Sequence, residues 1–196
     1  MPLINSPVIF SAKVALKVEE IKKDKERSHT RWSDDDLEDM RREVRNHYRR
    51  EQKLSCAYCR SDIGAIAAAN SPVEHILPKS KYIQFMFEPK NLCVICADCN
   101  TYKKDSESLL DSPLDRSAIK IYPLQSHRYR LVHPHLDEYA EHIKKVQYLY
   151  ISISKKGRYT IYACNLNRIL EELGVSEELF EDLGTALERA RFGDSG

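Results

Sequence analysis

The chain has 196 residues and 22.8 kDa, is 42% hydrophobic and 31% charged, and carries a formal net charge of +1 with a sequence pI near 7.6. This length supports one packed unit or a small core with additions, and no apolar run approaches the roughly 20 residues that span a bilayer. A near-neutral total excludes a uniformly basic surface of the kind that coats nucleic acid, so any polyanion site has to be local.

The opening Met-Pro-Leu-Ile-Asn-Ser-Pro lacks the basic flank and long apolar core of a secretory signal, which reads as a cytoplasmic chain. In that reducing compartment the six cysteines are better ligands than disulfides. Residues 1–30 hold an apolar stretch, Val8-Ile9-Phe10, then a lysine-rich segment in which Val14, Leu16, Val18 and Ile21 share one face. Ser33 followed by Asp34, Asp35 and Asp36 predicts a helix N-terminus, with Trp32 stapled onto Leu37. Leu37, Met40, Val44 and Tyr48 continue it as an amphipathic helix. Its other side carries Arg41, Arg42, Arg45, Arg49 and Arg50. That side reads either as a solvated charged face or as a phosphate-contacting flank.

The helix leads into Cys56-x2-Cys59, a spacing that aims two thiolates at one tetrahedral zinc. A small-residue loop to Pro72 follows, then a short strand from Val73 to Leu77 stopped by Pro78, and a loop with a helical turn anchored by Tyr82, Phe85, Met86 and Phe87. Asn91 to Ile95 is a second strand, and Ala97 to Lys104 a helix begun at the second cysteine pair. Spacing alone leaves two choices for that pair, Cys93-x2-Cys96 or Cys96-x2-Cys99. Downstream, a proline-punctuated linker, a short helix from His135 to Lys144, and a hairpin (146–154 and 158–164) turning at Lys155-Lys156-Gly157 are expected. A helix from Leu166 ends at Gly174, and a last acidic helix opens at Ser176. His133, His135 and His142 form a second histidine group whose loose spacing favours a structural role over a metal site.

Cys56-x2-Cys59, Glu74-His75-x2-Pro78, Asn91-Leu92 and Cys96-x2-Cys99-Asn100-x2-Lys103 together resemble the HNH endonucleases of the ββα-metal (His-Me finger) group, over about a quarter of the chain. The resemblance implies an α+β fold. A ββα-metal core at 56–105 with a four-cysteine zinc site would lie between an N-terminal helical segment (1–55) and a C-terminal hairpin-plus-helices extension (106–196), all in one compact unit. It favours Cys96 and Cys99 as the zinc ligands that join Cys56 and Cys59, leaving Cys93 a buried strand residue. It further implies His75 as general base, Glu74 and Asn100 as ligands of a catalytic Mg2+ or Mn2+, and Asn91 as the buttress that aligns the base. The family commonly has Asp where this chain has Glu74.

Lys79, Lys103, Arg45 and Arg49 are the candidate substrate-binding residues. An ordinary histidine base would lose activity as pH falls through about 6.5. The implied substrate is DNA, with RNA open, and the implied products are 5′-phosphate and 3′-hydroxyl ends. The stretch from Leu131 to Ile143 and Leu166-Asn167-Arg168 are similar to small bacterial anti-phage HNH proteins, including Septu-like ones paired with an ATPase, which implies a defence role and a partner chain. The alternative is a zinc-clamped nucleic-acid-binding or scaffold module with a silent site.

Overall fold

In the computed structural model, which describes residues 2–174, helices and two antiparallel strand pairs pack around one apolar core. α1 (Ala12–Lys23) buries Val14, Val18 and Ile21, while Leu16 turns out to solvent. α2 (Glu38–Glu51) buries Met40, Val44 and Tyr48, the three- and four-residue spacing of its apolar stripe. It lies on an antiparallel pair, β1 (Val73–His75) and β2 (Leu92–Val94), registered Val73 to Val94 and His75 to Leu92. α3 (Ala97–Lys103) follows β2 directly. A second antiparallel pair, β3 (Ile143–Val146) and β4 (Leu149–Ser152), precedes α4 (Lys155–Ala163) and α5 (Arg168–Leu173). The described residues are therefore mixed α+β, with five α-helices and two small sheets. No helix among them is long and apolar enough to cross a membrane.

Several elements differ from the sequence reading. Ser33 caps nothing: 3₁₀ turns at His29–Ser33 and Asp35–Leu37 precede α2, which starts at Glu38. The reason is Arg31, whose guanidinium holds Asp34 (2.7 Å) and Asp36 (2.6 Å) and folds the aspartates back as a turn. The segment after His135 is a 3₁₀ turn at Tyr139–Glu141 running into β3, not a helix.

The hairpin sits earlier than expected, and Gly157 is a helix residue instead of its turn. Ser154 accepts from the Gly157 N–H (3.1 Å), a helix N-cap. Gly157, Thr160 and Ala163 then form a small buried face. A Cβ at position 157 would meet the His142 carbonyl oxygen at 1.9 Å, so only glycine lets α4 close onto the hairpin. Gly174 does follow α5, with φ of 74°. The expected helix from Ser176 lies outside the described residues.

Residues beyond 105 are stitched to the first half by tyrosine and histidine side chains. The Tyr139 hydroxyl donates to the Tyr58 carbonyl (2.8 Å) and that of Tyr150 to the Cys59 carbonyl (2.6 Å). His135 Nε2 meets the Leu92 carbonyl at 2.8 Å.

Candidate active site and metal centre

The four cysteines Cys56, Cys59, Cys96 and Cys99 converge so that all their sulfurs lie within 4.8 Å of one another. Cys59 and Cys96 sulfurs are 3.7 Å apart, close to the roughly 3.8 Å edge of a tetrahedron with about 2.3 Å zinc–sulfur bonds. The Cys96 N–H points at Cys56 Sγ (3.3 Å) and the Cys99 N–H at Cys96 Sγ (3.4 Å). Amide donors aimed at sulfur favour thiolates. A hydrogen bond with Cys56 draws the Cys96 thiol down to about 7, while burial pushes the Cys56 thiol up. The cluster can hold a metal ion, and four sulfurs with no open position fit a structural zinc. Cys93 stands outside it, buried opposite Glu74 on β2.

The first knuckle turns at Arg60, whose φ is +58°. Arg60 lies over the Tyr139 ring at 4.3 Å, and Arg168 of α5 pairs with Asp98 of α3 at 2.9 Å. Two guanidiniums thus flank what would be a net anionic tetrathiolate. Nothing in the cysteine spacing signals Arg168, because it arrives from a helix distant along the chain.

Asn100, next to Cys99 on α3, lines a polar cleft of about 290 Å³ together with Glu74, His75, Lys79, Ser80 and Lys104 among others. Strict alternation would send Glu74 and His75 to opposite faces of β1. Both nonetheless line the cleft, at the end of a strand only three residues long. His75 is buried; Trp32 packs edge-on against its ring at 4.4 Å between centroids and also touches Phe87 at 6.0 Å. Its Nε2 meets the Met86 carbonyl at 3.0 Å. A carbonyl can only accept, so Nε2 carries the proton and Nδ1 keeps its lone pair. Burial, then the charge of Lys79, lowers the His75 pKa to about 3. The acid limb near 6.5 expected of an ordinary histidine therefore does not follow here, since the ring is neutral through that range.

Asn91 is fully buried and ties the loop between the strands. Its Oδ1 accepts from the Leu77 N–H (2.7 Å), and its Nδ2 donates to the carbonyls of Leu77 (3.1 Å) and Phe85 (3.0 Å). Phe85 is one residue before Met86, so Asn91 holds the backbone that orients the His75 ring.

Three candidate substrate residues face inward instead. Lys103 is 0% exposed; its ammonium pairs with the Glu74 carboxylate and donates to the His75 carbonyl (3.2 Å). Arg49 is buried against the 66–71 loop, donating to Ser71 Oγ (2.7 Å) and the Ala67 carbonyl (2.6 Å). Arg45 is largely covered, 3.9 Å from Glu38, with its Nε buried and without a hydrogen-bond partner. Of the four candidates, Lys79 lines the cleft. Glu74 and Asn100 still offer it a carboxylate and an amide oxygen, a hard-oxygen donor set that fits Mg2+ or Mn2+.

His133, His135 and His142 do not assemble with carboxylates or cysteines into a metal-binding group among the described residues. His133 Nε2 meets the Tyr122 hydroxyl (2.9 Å), and His142 Nδ1 meets Ser154 Oγ (2.7 Å). No protein-family model matches the sequence, and no curated protein matches it significantly.

Proposed function

We propose that the chain is a metal-dependent HNH endonuclease that hydrolyses phosphodiester bonds of DNA. The observation that carries this reading is the meeting of Glu74, His75 and Asn100 on one polar cleft, beside a sulfur site that anchors the same helix. His75 takes the proton of the attacking water at Nδ1, because Nε2 is committed to the Met86 carbonyl. Asn91 holds that carbonyl's loop in register. Lys79 places a positive charge at the mouth of the cleft, where a phosphate oxygen gathers charge as the bond breaks. Glu74 and Asn100 would hold the catalytic Mg2+ or Mn2+, whose Lewis acidity stabilises charge on the phosphoryl and leaving oxygens when bound. Lys103, sharing the Glu74 carboxylate, lowers that ligand's net charge and makes the ion's hold weaker than an unpaired acid would give. A cytoplasmic role in anti-phage defence with an ATPase partner belongs to the same reading, through the resemblance of residues 131–143.

The Lys103–Glu74 pair also favours a second reading, a zinc-clamped nucleic-acid-binding module whose site is silent. Nicking of supercoiled plasmid by zinc-loaded protein separates the two. With Mg2+ or Mn2+ the wild type should nick, and His75→Ala should be slower by about 10²–10⁴-fold, the worth of a general base. Equal residual nicking by both proteins would leave the silent module standing. Parallel assays on structured RNA decide the polymer.

A further inference from the structure

Beyond the His75 cleft, the C-terminal end of α3 borders a second and larger one. It measures about 470 Å³ and is lined by Tyr102, Ser106, Ile161, Tyr162 and Asn165, among others. Asn100, Lys104 and Asp105 of the same helix end line the His75 cleft, so one turn of chain separates the two. Tyr162 is 80% exposed and Tyr102 40% exposed. Along α4, Lys155, Arg158 and Tyr162 follow one another at three- and four-residue spacing on the exposed side, opposite the buried face of Gly157, Thr160 and Ala163. Tyr159 lies among them, with the Arg130 guanidinium stacked over its ring at 4.1 Å and the Tyr162 ring 6.4 Å away. Neither Lys155 nor Arg158 takes part in an ion pair among the described residues.

Exposed aromatic faces beside unpaired cations are the two components that bind a nucleic-acid strand without reading its sequence. Bases in a duplex keep their faces stacked on each other, so a tyrosine platform selects unpaired ones. We propose that α4, with Lys155, Arg158 and Tyr162, and Tyr102 of α3 form a track for an unpaired nucleic-acid strand running from the His75 cleft. Tyr162 and Tyr102 stack on bases, and Lys155 and Arg158 hold phosphates. The track assigns substrate preference to a surface separate from the reacting groups: a flapped, looped or single-stranded region beside the bond to be cut. This inference rests on the nuclease reading.

The test is fluorescence anisotropy of a labelled 20-nucleotide single strand and the matching duplex, with zinc-loaded protein and no added Mg2+ or Mn2+, so that binding is read without cleavage. Tyr162→Ala should weaken single-strand binding roughly tenfold, the scale of one lost base stack, with duplex binding changed less than about twofold and Tyr162→Phe close to wild type. Arg158→Ala combined with Lys155→Ala should flatten the slope of log K against log salt by about 1.4, two single-strand phosphate contacts at about 0.7 each. These side chains project from the surface, and circular dichroism with zinc content confirms that the variants fold. Wild-type affinity in Tyr162→Ala, equal weakening for both polymers, or a wild type that binds neither would overturn the track. Plasmid nicking by wild type and Tyr162→Ala keeps the outcomes apart. Wild-type nicking with strand binding unchanged in Tyr162→Ala removes the track alone, and strand binding through Tyr162 with no nicking by the wild type removes the nuclease.

Discussion

His75 and the pair His133 and His135 make an instructive comparison, because their local physics is nearly the same. All three are buried. His75 and His135 each spend Nε2 on a backbone carbonyl, Met86 at 3.0 Å and Leu92 at 2.8 Å, and His133 spends its own on Tyr122. Burial lowers every one of them, His75 to about 3, His135 to about 4 and His133 well below its ordinary value. Their surroundings differ. His75 borders an open cleft with a carboxylate, an amide and a lysine, while His133 and His135 are walled in by the rings of Tyr48, Tyr122 and Tyr129. A depressed histidine pKa therefore does not single out one of the three in this molecule. What sets His75 apart is its place on the polar cleft.

The largest way to break the comparison is to remove what both regions lean on. His75 ends β1 and His135 bonds to β2, and β2 runs straight into Cys96 and Cys99. Cys56→Ser should lose its zinc and lower the melting temperature by on the order of 10 °C or more, since a structural zinc contributes many kcal/mol of folding energy. Zinc content and melting curves measure it directly. Full zinc and an unchanged melting temperature would remove the clamp from the fold.

The first half of the sulfur site was legible in the sequence because the Cys56-x2-Cys59 spacing fixes its geometry locally, whereas spacing left Cys93 and Cys99 both open as partners of Cys96 and only the family resemblance favoured Cys99. The short strands around Glu74-His75 and Asn91-Leu92 were bounded by Pro72, Pro78 and the cysteines. The α2 stripe was legible for the same reason of period. The region after 135 was not. Arg158 to Cys164 alternates aromatic and branched residues as a strand would, and the helical signal was the set of small residues at Gly157, Thr160 and Ala163, which only makes sense once β3 and β4 lie beneath them. Arg49 and Lys103 read as substrate residues because charge in a sequence suggests solvent. Whether a long side chain turns inward depends on partners distant along the chain: the 66–71 loop for one and Glu74 for the other. Local spacing ties Trp32 to its own helix, yet it packs on His75, 43 positions away in the chain.

Acid tests what the three histidines share. His75, His133 and His135 are neutral when folded and ordinary when unfolded, so between about 6.5 and about 4 the unfolded chain binds the extra protons. Their contribution to stability is complete above about 6.5 and is lost as pH falls below it. Each adds a slope of up to about 1.4 kcal/mol per pH unit in that window. Urea unfolding from pH 7.5 to 5, with zinc retention checked at every point, should show this loss. His135→Gln, which keeps a donor near the Leu92 carbonyl but cannot titrate, should flatten the slope by about one proton. An unchanged slope would mean that His135 is not neutral in the fold.

The smallest expected effect lies where the two regions touch. The Tyr122 hydroxyl sits 2.9 Å from His133 Nε2 and 3.3 Å from Asn91 Oδ1, the oxygen that also accepts from the Leu77 N–H. Asn91 in turn holds the loop that presents the Met86 carbonyl to His75. Tyr122→Phe removes one buried hydroxyl and should cost about 1 kcal/mol, within reach of urea titration. The ring remains against Phe85 and Tyr129, so the packing does not change. Asn91 keeps its three backbone bonds to Leu77 and Phe85, and these alone fix the loop. Nicking by Tyr122→Phe should therefore stay within about threefold of wild type once the folded fraction is equalised. A larger loss at full folding would show that the histidine cluster steers the His75 ring through Asn91, and the two regions would then count as one site.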